Sequence, residues 1–160
     1  MVHLCLDFEG VLIPEIWQCL AKEVNSDELM LTTQDLKDYD ELMSLRMKVV
    51  NEKNIKLSDI QKIVKNIDPF DGAQEFLEWA RSKFQVTIVS DTFYELAWPL
   101  VEKLGYPSII CHHMTVENDK ITGYKLRQPN NKQKVIEALQ SLKFKVFASG
   151  DSYNDINMLN

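Results

Sequence analysis

Two acidic residues one position apart, Asp7 and Glu9, follow a short apolar run at positions 4–6 and precede Gly10. In an extended chain, residues i and i+2 lie on the same face, so we expect the two carboxylates to point the same way. Their negative charges repel, and a cation or a proton between them would relieve that repulsion. An isolated pair with this spacing is also common at a strand end that faces solvent, so its meaning depends on the rest of the chain.

Further polar side chains lie near the ends of other predicted strands or at the start of the last predicted complete helix. They are Ser90 and Asp91 at the end of "QVTIVSD" (85–91) with Thr92 directly after it, Lys132 and Lys134 in "NNKQK", and Asp151, Asn154 and Asp155 in "GDSYND". In open α/β sheets, ligands bind beyond the carboxyl ends of the strands, so we expect these side chains to lie together. Carboxylates, a hydroxyl and a lysine are what a magnesium-dependent phosphoryl-transfer site requires.

Each of these residue types has a task in such a site. A carboxylate can attack phosphorus and form an aspartyl phosphate. A second acid, here Glu9 two residues after Asp7, must protonate the leaving oxygen and later take a proton from water. A lysine and a hydroxyl hold the transferring oxygens. Mg²⁺ prefers hard oxygen ligands and would offset the repulsion between Asp7 and Asp151.

Each residue also has a simpler interpretation. Ser90 could begin the following helix, a lysine near a helix start is commonly solvated, and "GDSYND" could be a capped turn. The ordered occurrence of all of them at strand ends favours the phosphoryl-transfer site. Of the two lysines we prefer Lys132 and keep Lys134 as the alternative, because apolar residues follow Lys132 at helical spacing, at positions 135, 136 and 139.

Length and composition indicate an ordinary globular protein. The 160 residues, 45% hydrophobic and 26% charged, are enough for one core with a small insertion. The net charge of −6, with no basic cluster, argues against a nucleic-acid partner. No apolar run reaches the length of a membrane span and the N-terminus does not have the pattern of a signal peptide, so we expect no membrane partner. Three widely spaced cysteines predict reduced thiols and a cytoplasmic location.

The hydrophobic pattern divides the chain into two parts. Residues 2–7 are predicted to form a buried strand, and the following pattern is helical without a strand up to position 68, with Ser58 and Gln61 at the spacing of a capping box. Strands and helices then alternate, which predicts a Rossmann-like parallel sheet with helices on both faces. We therefore predict a core formed by 1–13 and 69–160, and a helical cap, 14–68, that stands over the carboxyl end of the sheet as a lid.

The motifs resemble those of the haloacid-dehalogenase-like phosphohydrolase superfamily, which has two acids near the N-terminus, a Ser or Thr after the second strand, a Lys and a G-D-x-x-x-D. "DFEG", "VSDT", Lys132 and "GDSYND" stand in that order along the whole chain. "LDFEGVLIPEIW", "SDTFYE" and "GDSYNDINML" are similar to the phosphoserine phosphatase branch, and most similar to its bifunctional phosphoserine phosphatase/homoserine phosphotransferase subgroup. Glu9 stands where most of the superfamily has Asp, and that subgroup also has Glu there.

The resemblance implies an activity and a role for each matching residue. It implies a phosphoserine phosphatase that acts through an aspartyl phosphate with Mg²⁺, with homoserine as a second acceptor and a homodimer left open. The implied residues are Asp7 as nucleophile, Glu9 as general acid and base, Ser90 and Lys132 on the phosphoryl oxygens, Asp7, Asp151, Asp155 and the main-chain carbonyl of Glu9 around Mg²⁺, Glu15 on the substrate amine, Arg46 on its carboxylate, and Asp91, Thr92 and Asn154 as further substrate contacts.

Three alternatives stay open at this point. The chain could hydrolyse another small phosphomonoester, and Arg46 could be a surface arginine that only packs its stem. Relatives continue beyond the fourth motif, so we expect the C-terminus at Asn160 to be truncated, and the chain could be a non-catalytic fragment. A signalling receiver domain is disfavoured, because receivers have neither the helical insertion nor the G-D-x-x-x-D motif.

Overall fold

A mostly parallel sheet forms the centre of the molecule. The computed structural model describes residues 1–151 and residue 155. In this part of the chain the sheet has the strands β1 (Val2–Leu6), β2 (Gln85–Phe93), β3 (Ile109–Glu117), β4 (Lys120–Lys125) and β5 (Lys145–Ser149), in the order β4-β3-β2-β1-β5. All neighbours pair in parallel except β3 and β4, which form an antiparallel hairpin. The predicted α/β architecture is confirmed.

The helices fall into two groups along the chain. The helices α1 (Ile16–Val24), α2 (Asp27–Met30), α3 (Tyr39–Glu52) and α4 (Leu57–Lys65) follow β1 with no described strand between them. The helices α5 (Ala73–Lys83), α6 (Tyr94–Lys103) and α7 (Asn131–Ser141) alternate with the later strands. The first group occupies the predicted insertion, and its treatment as a separate cap stays a prediction. None of the described helices is long and apolar enough to cross a membrane.

Both faces of the sheet are covered by helices, as predicted. Leu6 in β1 belongs to a large apolar core that includes residues of α1, α4, α5 and α6. Its neighbour Cys5 points to the opposite face, because successive strand residues alternate, and packs there with Val135 and Ile136 of α7. The carboxyl ends of β1, β2 and β5 therefore meet at one edge, with helices on either side.

The hairpin between β3 and β4 contacts the inserted helices. Its turn residues Asn118 and Asp119 have φ angles of 49° and 66°, as expected for a tight hairpin turn. The Asp119 carboxylate accepts the Ser58 N–H at 2.9 Å and the Ser58 hydroxyl at 2.5 Å, and its carbonyl accepts the Leu57 N–H at 2.9 Å. This side chain from a distant turn therefore caps α4.

The predicted capping box of Ser58 and Gln61 is wrong. The helix α4 begins one residue earlier, at Leu57, so Ser58 lies inside its first turn. The Gln61 side chain donates instead to the carbonyl of Glu95 at 2.9 Å. Local spacing indicated the helix but not the partner that satisfies its first N–H groups.

Candidate active site

A cavity of about 390 Å³ lies between the carboxyl edge of the sheet and the inserted helices. Its floor is formed by residues from the strand ends and α7, namely Asp7, Glu9, Ser90, Asp91, Lys132 and Asp151. Its wall is formed by residues of the insertion, which include Glu15, Trp17, Tyr39 and Arg46. Most of the predicted site residues therefore line one cavity. The end of β1, the strand β2, the start of α7 and the insertion all contribute to it.

Asp7 follows β1 directly and is buried. Its Oδ1 accepts the Phe8 N–H at 2.7 Å, and its Oδ2 lies 2.9 Å from Nζ of Lys132. Burial raises the pKa of Asp7 to about 7, although the nearby Lys132 ammonium lowers it. One oxygen is therefore oriented by the main chain and the other by a buried cation, which fixes the carboxylate in the cavity floor.

Lys132 lies in the first turn of α7 and is surrounded by carboxylates. Its Nζ is 2.9 Å from Asp7, 2.5 Å from Asp155 and 3.9 Å from Asp91. Burial opposes the charge, but the three carboxylates outweigh it and raise the pKa of Lys132. The alternative lysine, Lys134, is exposed and pairs with Glu137 on the outer side of the helix, so the structure places Lys132 at the floor.

Three carboxylates of the predicted metal site come together. Oxygens of Asp7, Asp151 and Asp155 all lie within 4.8 Å of one another, a set that could hold a metal ion. A side chain at Gly10 would overlap the Asp151 carboxylate, and one at Gly150 would overlap Asp155. Both glycines therefore let the backbone approach these two carboxylates closely.

The Glu9 carboxylate does not join that cluster. Its Oε1 accepts the N–H of Ile16 at 2.8 Å, which attaches it to the start of α1. Burial and, to a smaller extent, nearby Glu15 raise the pKa of Glu9 to about 8, while the Ile16 N–H and Arg46 oppose the shift. The raised pKa favours the protonated carboxyl, which is the form a general acid needs. The predicted metal contact of Glu9 is its main-chain carbonyl, and this stays a prediction.

Ser90 lies within β2, which runs to Phe93 and does not end at position 91 as predicted. The register between β2 and β3 shifts between Val89 and Phe93, so Ser90 and Asp91 stand in an irregular part of the strand. Such irregularities turn side chains out of the regular pleat, and both residues line the cavity. The buried Ser90 Oγ accepts the Thr92 N–H at 3.2 Å.

One predicted substrate contact, Thr92, is not among the described residues that line the cavity. Thr92 is buried next to Ser90, but its hydroxyl does not reach the cavity and has no hydrogen-bond partner within residues 1–151 and 155. Asn154 lies outside the described residues.

Arg46 is a buried cation in the wall, with 7% of its surface exposed, so the surface-arginine alternative is wrong. Its guanidinium lies over the Trp17 ring, 4.9 Å from the centroid, and Nη2 donates to the Leu31 carbonyl at 3.1 Å. Its Nε has no hydrogen-bond partner among the described residues. Burial lowers the pKa of Arg46, while Glu9, Tyr39 and Glu15 raise it. Arg46 also lines the cavity, so its cationic side chain borders the space that an anionic group of a ligand would enter.

Glu15 stands directly before α1 and is half-buried in the same wall. Burial and the nearby Asp151 raise its pKa, and Arg46 opposes that shift. The wall thus presents one cationic and one acidic group above the floor.

Sequence reasoning missed Tyr39, the first residue of α3. Its hydroxyl donates to the Asp91 carbonyl at 2.8 Å, and its ring packs against those of His112 and Tyr124. Tyr124 in turn donates to Asp40 at 2.5 Å. These contacts join the insertion to the hairpin and to the floor, and no local sequence pattern signals them.

Comparison with known proteins gives a consistent family. The sequence model described as haloacid dehalogenase-like hydrolase matches residues 9–160. The chain is 47% identical, over 156 residues, to the protein named phosphoserine phosphatase ThrH from Pseudomonas aeruginosa, which covers 97% of this chain and 76% of that protein. It is 46% identical to a phosphoserine phosphatase from Pseudomonas syringae pv. tomato, covering 97% of this chain and 66% of that protein.

A similar fold occurs in solved structures. One, described as a phospho-aspartyl intermediate analogue of phosphoserine phosphatase, superposes with a TM-score of 0.78 at 22% identity and covers 98% of this chain and 81% of that chain. At this identity the similarity shows the fold alone. The fold that carries the cavity and its carboxylates is therefore shared with these proteins.

Proposed function

Because the chain belongs to the haloacid dehalogenase-like hydrolase family, we propose that it is a magnesium-dependent phosphomonoesterase that acts on phosphoserine through an aspartyl phosphate on Asp7. One observation carries the proposal. A single cavity is lined by a buried aspartate paired with a lysine at 2.9 Å and, on its wall, by a buried arginine. The first pair suits phosphoryl transfer, and the arginine suits the carboxylate of an amino-acid substrate.

In the first step, a carboxylate oxygen of Asp7 attacks phosphorus and the bond from phosphorus to the serine oxygen breaks. The proton on Glu9 passes to that oxygen, so serine leaves as a neutral alcohol. In the second step, Glu9 takes a proton from water as the water attacks the aspartyl phosphate, which releases phosphate and restores Asp7. Lys132 and Ser90 hold the phosphoryl oxygens throughout.

The acidic cluster of Asp7, Asp151 and Asp155 fits Mg²⁺. These are hard oxygen donors within 4.8 Å of one another, and their mutual repulsion favours a bound cation. When bound, the ion neutralises part of the negative charge shared by the carboxylates and the phosphate. The chain's own contribution is to hold the three carboxylates together, with Gly10 and Gly150 allowing the close approach.

Substrate selection is assigned to the wall. The planar guanidinium of Arg46 matches a carboxylate, and the carboxylate of Glu15 matches the substrate ammonium. Asp91 borders the same cavity, and the substrate contact expected of it stays a prediction. The homodimer, the cytoplasmic location and the division into a core and a cap stay predictions.

Phosphate release is the test of this function. Phosphoserine, phosphothreonine and nucleoside monophosphates are compared with Mg²⁺ and with EDTA, and steady turnover with a preference for phosphoserine is expected only with Mg²⁺. Equal turnover of all substrates would point to another small phosphomonoester, and no turnover would indicate a non-catalytic fragment. Adding homoserine and measuring phosphohomoserine decides whether homoserine competes with water as the acceptor.

A further inference from the structure

His112 is a buried histidine of β3 whose two ring nitrogens face different groups. Its Nδ1 accepts the N–H of Arg127 at 3.0 Å, and its Nε2 lies 3.4 Å from Oδ1 of Asp91. Because Nδ1 accepts a main-chain N–H, it carries no proton, and the ring proton is on Nε2. His112 therefore presents an N–H to Asp91.

Asp91 connects this histidine to the cavity floor. Its carbonyl accepts the Tyr39 hydroxyl at 2.8 Å, and its Oδ2 lies 3.9 Å from Nζ of Lys132. The ring centroids of Tyr39 and Phe93 lie 6.3 and 6.0 Å from that of His112, and these rings limit the space in which the imidazole can move. The Asp91 carboxylate is thus placed by His112 on one side and faces Lys132 on the other.

Lys132 has to keep one position among competing carboxylates. Asp7 and Asp155 lie at 2.9 and 2.5 Å, and Asp91 is the third group around it. A carboxylate on the third side restrains the ammonium against displacement towards Asp155 when the charge on Asp7 changes during phosphoryl transfer.

We infer, on the basis of the proposed function, that His112 is a positioning residue that holds Asp91 and thereby keeps Lys132 aligned with Asp7. His112 does not line the substrate cavity but a second one of about 260 Å³ behind Asp91 and Lys132, so it acts through these residues and not on the substrate. A change at His112 should therefore affect transfer of the phosphoryl group, which all phosphate monoesters share.

Two variants of His112 separate its two hydrogen-bonding roles. His112→Gln places an amide N–H near the position of Nε2 and keeps a donor for Asp91. His112→Asn places an amide oxygen near the position of Nδ1 and keeps the acceptor for Arg127, but no donor reaches Asp91. We expect kcat to stay close to the original value in the Gln variant and to fall by up to about 100-fold in the Asn variant, the order of loss when a catalytic group is misplaced by about 1 Å.

The substrates are phosphoserine and phenyl phosphate, which has no amino-acid groups. The Asn variant is expected to lose kcat equally on both esters with KM little changed, and the double variant His112→Asn/Asp91→Asn to lose no more than its more affected single variant. His113→Asn, on the exposed side of the same strand, is the matched control and should retain the original kcat. Equal losses in the Gln and Asn variants, or a KM effect limited to phosphoserine, would overturn the assignment.

A spectroscopic readout is independent of turnover. The ¹⁵N spectrum of the imidazole rings, assigned with the His112→Gln variant, should show a protonated Nε2 and an unprotonated Nδ1 for His112. The opposite tautomer, or a doubly protonated ring, would overturn the inference. If the unchanged protein hydrolyses phenyl phosphate but not phosphoserine, only the proposed substrate fails. If it hydrolyses neither ester, the proposed function fails, and the ring spectrum still decides whether His112 offers its N–H to Asp91.

Discussion

Lys132 on the floor of the cavity and Arg46 on its wall are both buried cations, but their surroundings differ. Lys132 lies within 3.9 Å of three carboxylates, which raise its pKa. Arg46 contacts a carbonyl and the face of Trp17, burial lowers its pKa, and its Nε has no partner among the described residues. The paired cation suits a permanent part of the reaction site, whereas the incompletely paired one suits recognition of an anionic group that the substrate brings.

Loss of the floor carboxylate Asp7 should have the largest effect on activity. Asp7→Asn is nearly isosteric but removes the nucleophile, so turnover of every ester should fall by about 10⁶-fold, the order lost when a protease nucleophile is removed. Phosphate release measures the loss, and circular dichroism checks that the fold is retained. Appreciable turnover, with deamidation excluded by mass spectrometry, would remove Asp7 from its role.

Loss of the proton donor Glu9 should have the second largest effect on activity. Glu9→Gln keeps the shape of the side chain but cannot exchange a proton, so phosphoserine turnover should fall by about 10²–10⁴-fold. The control is the first step measured with p-nitrophenyl phosphate, whose leaving group needs no proton and should be affected less. An equal loss of the first step with both esters would favour a structural role at the start of α1, where Glu9 accepts the Ile16 N–H.

A change in the wall should have a smaller effect on activity, limited to substrates that have a carboxylate. Arg46→Ala leaves a substrate carboxylate unpaired, which costs about 2–5 kcal/mol and lowers kcat/KM for phosphoserine by roughly 30- to 4000-fold. Phosphoethanolamine has the ammonium and phosphate but no carboxylate, so its hydrolysis should barely change. If both substrates lose activity equally, Arg46 supports the fold or the phosphate, and the contrast between floor and wall is wrong.

The sequence predicted the floor better than the wall, for a topological reason. Asp7 and Asp151 are far apart in the chain, but they follow the parallel neighbours β1 and β5, so a motif at each strand end is enough to place them together. Tyr39 and His112 had no such signal, because their roles depend on how the insertion packs against the hairpin. Arg46 came from the family resemblance, and its burial could not be read from the pattern of α3.

Glu9 shows the limit of local geometry. The strand β1 ends at Leu6, so Asp7 and Glu9 stand in the turn that follows and the alternation of an extended strand does not apply to them. Burial is the main cause of the raised pKa of Glu9 and the charge of Asp7 contributes least, and the Ile16 N–H that orients its carboxylate comes from a helix start that the pair itself does not indicate. The prediction of the N-terminal cap of α4 was wrong for the same reason, because the capping residue Asp119 lies about 60 residues away from Ser58.

The floor should also determine how stability changes with pH. Burial raises the pKa of Asp7 from 3.8 to about 7 and that of Glu9 from 4.5 to about 8. An acid whose pKa is raised by folding contributes its full stability below the unfolded pKa and loses it as the pH rises through the folded pKa. We therefore expect the unfolding temperature of the metal-free protein to fall between about pH 4 and pH 8, and to fall less with Mg²⁺ or in Glu9→Gln. Thermal unfolding in EDTA and in Mg²⁺ measures this, and the same pH dependence in Glu9→Gln as in the unchanged protein would contradict the raised pKa of Glu9.

The most direct test of Asp7 as the nucleophile is to trap the phosphorylated protein. ³²P-labelled phosphoserine and Mg²⁺ are mixed with the protein, quenched in acid within the first turnover, and the labelled peptide is identified, with Asp7→Asn as the control. We predict a hydroxylamine-sensitive acyl phosphate on Asp7 that forms before phosphate is released and is absent from the control. Label on any other residue, or phosphate release in the first turnover with no labelled protein, would contradict it.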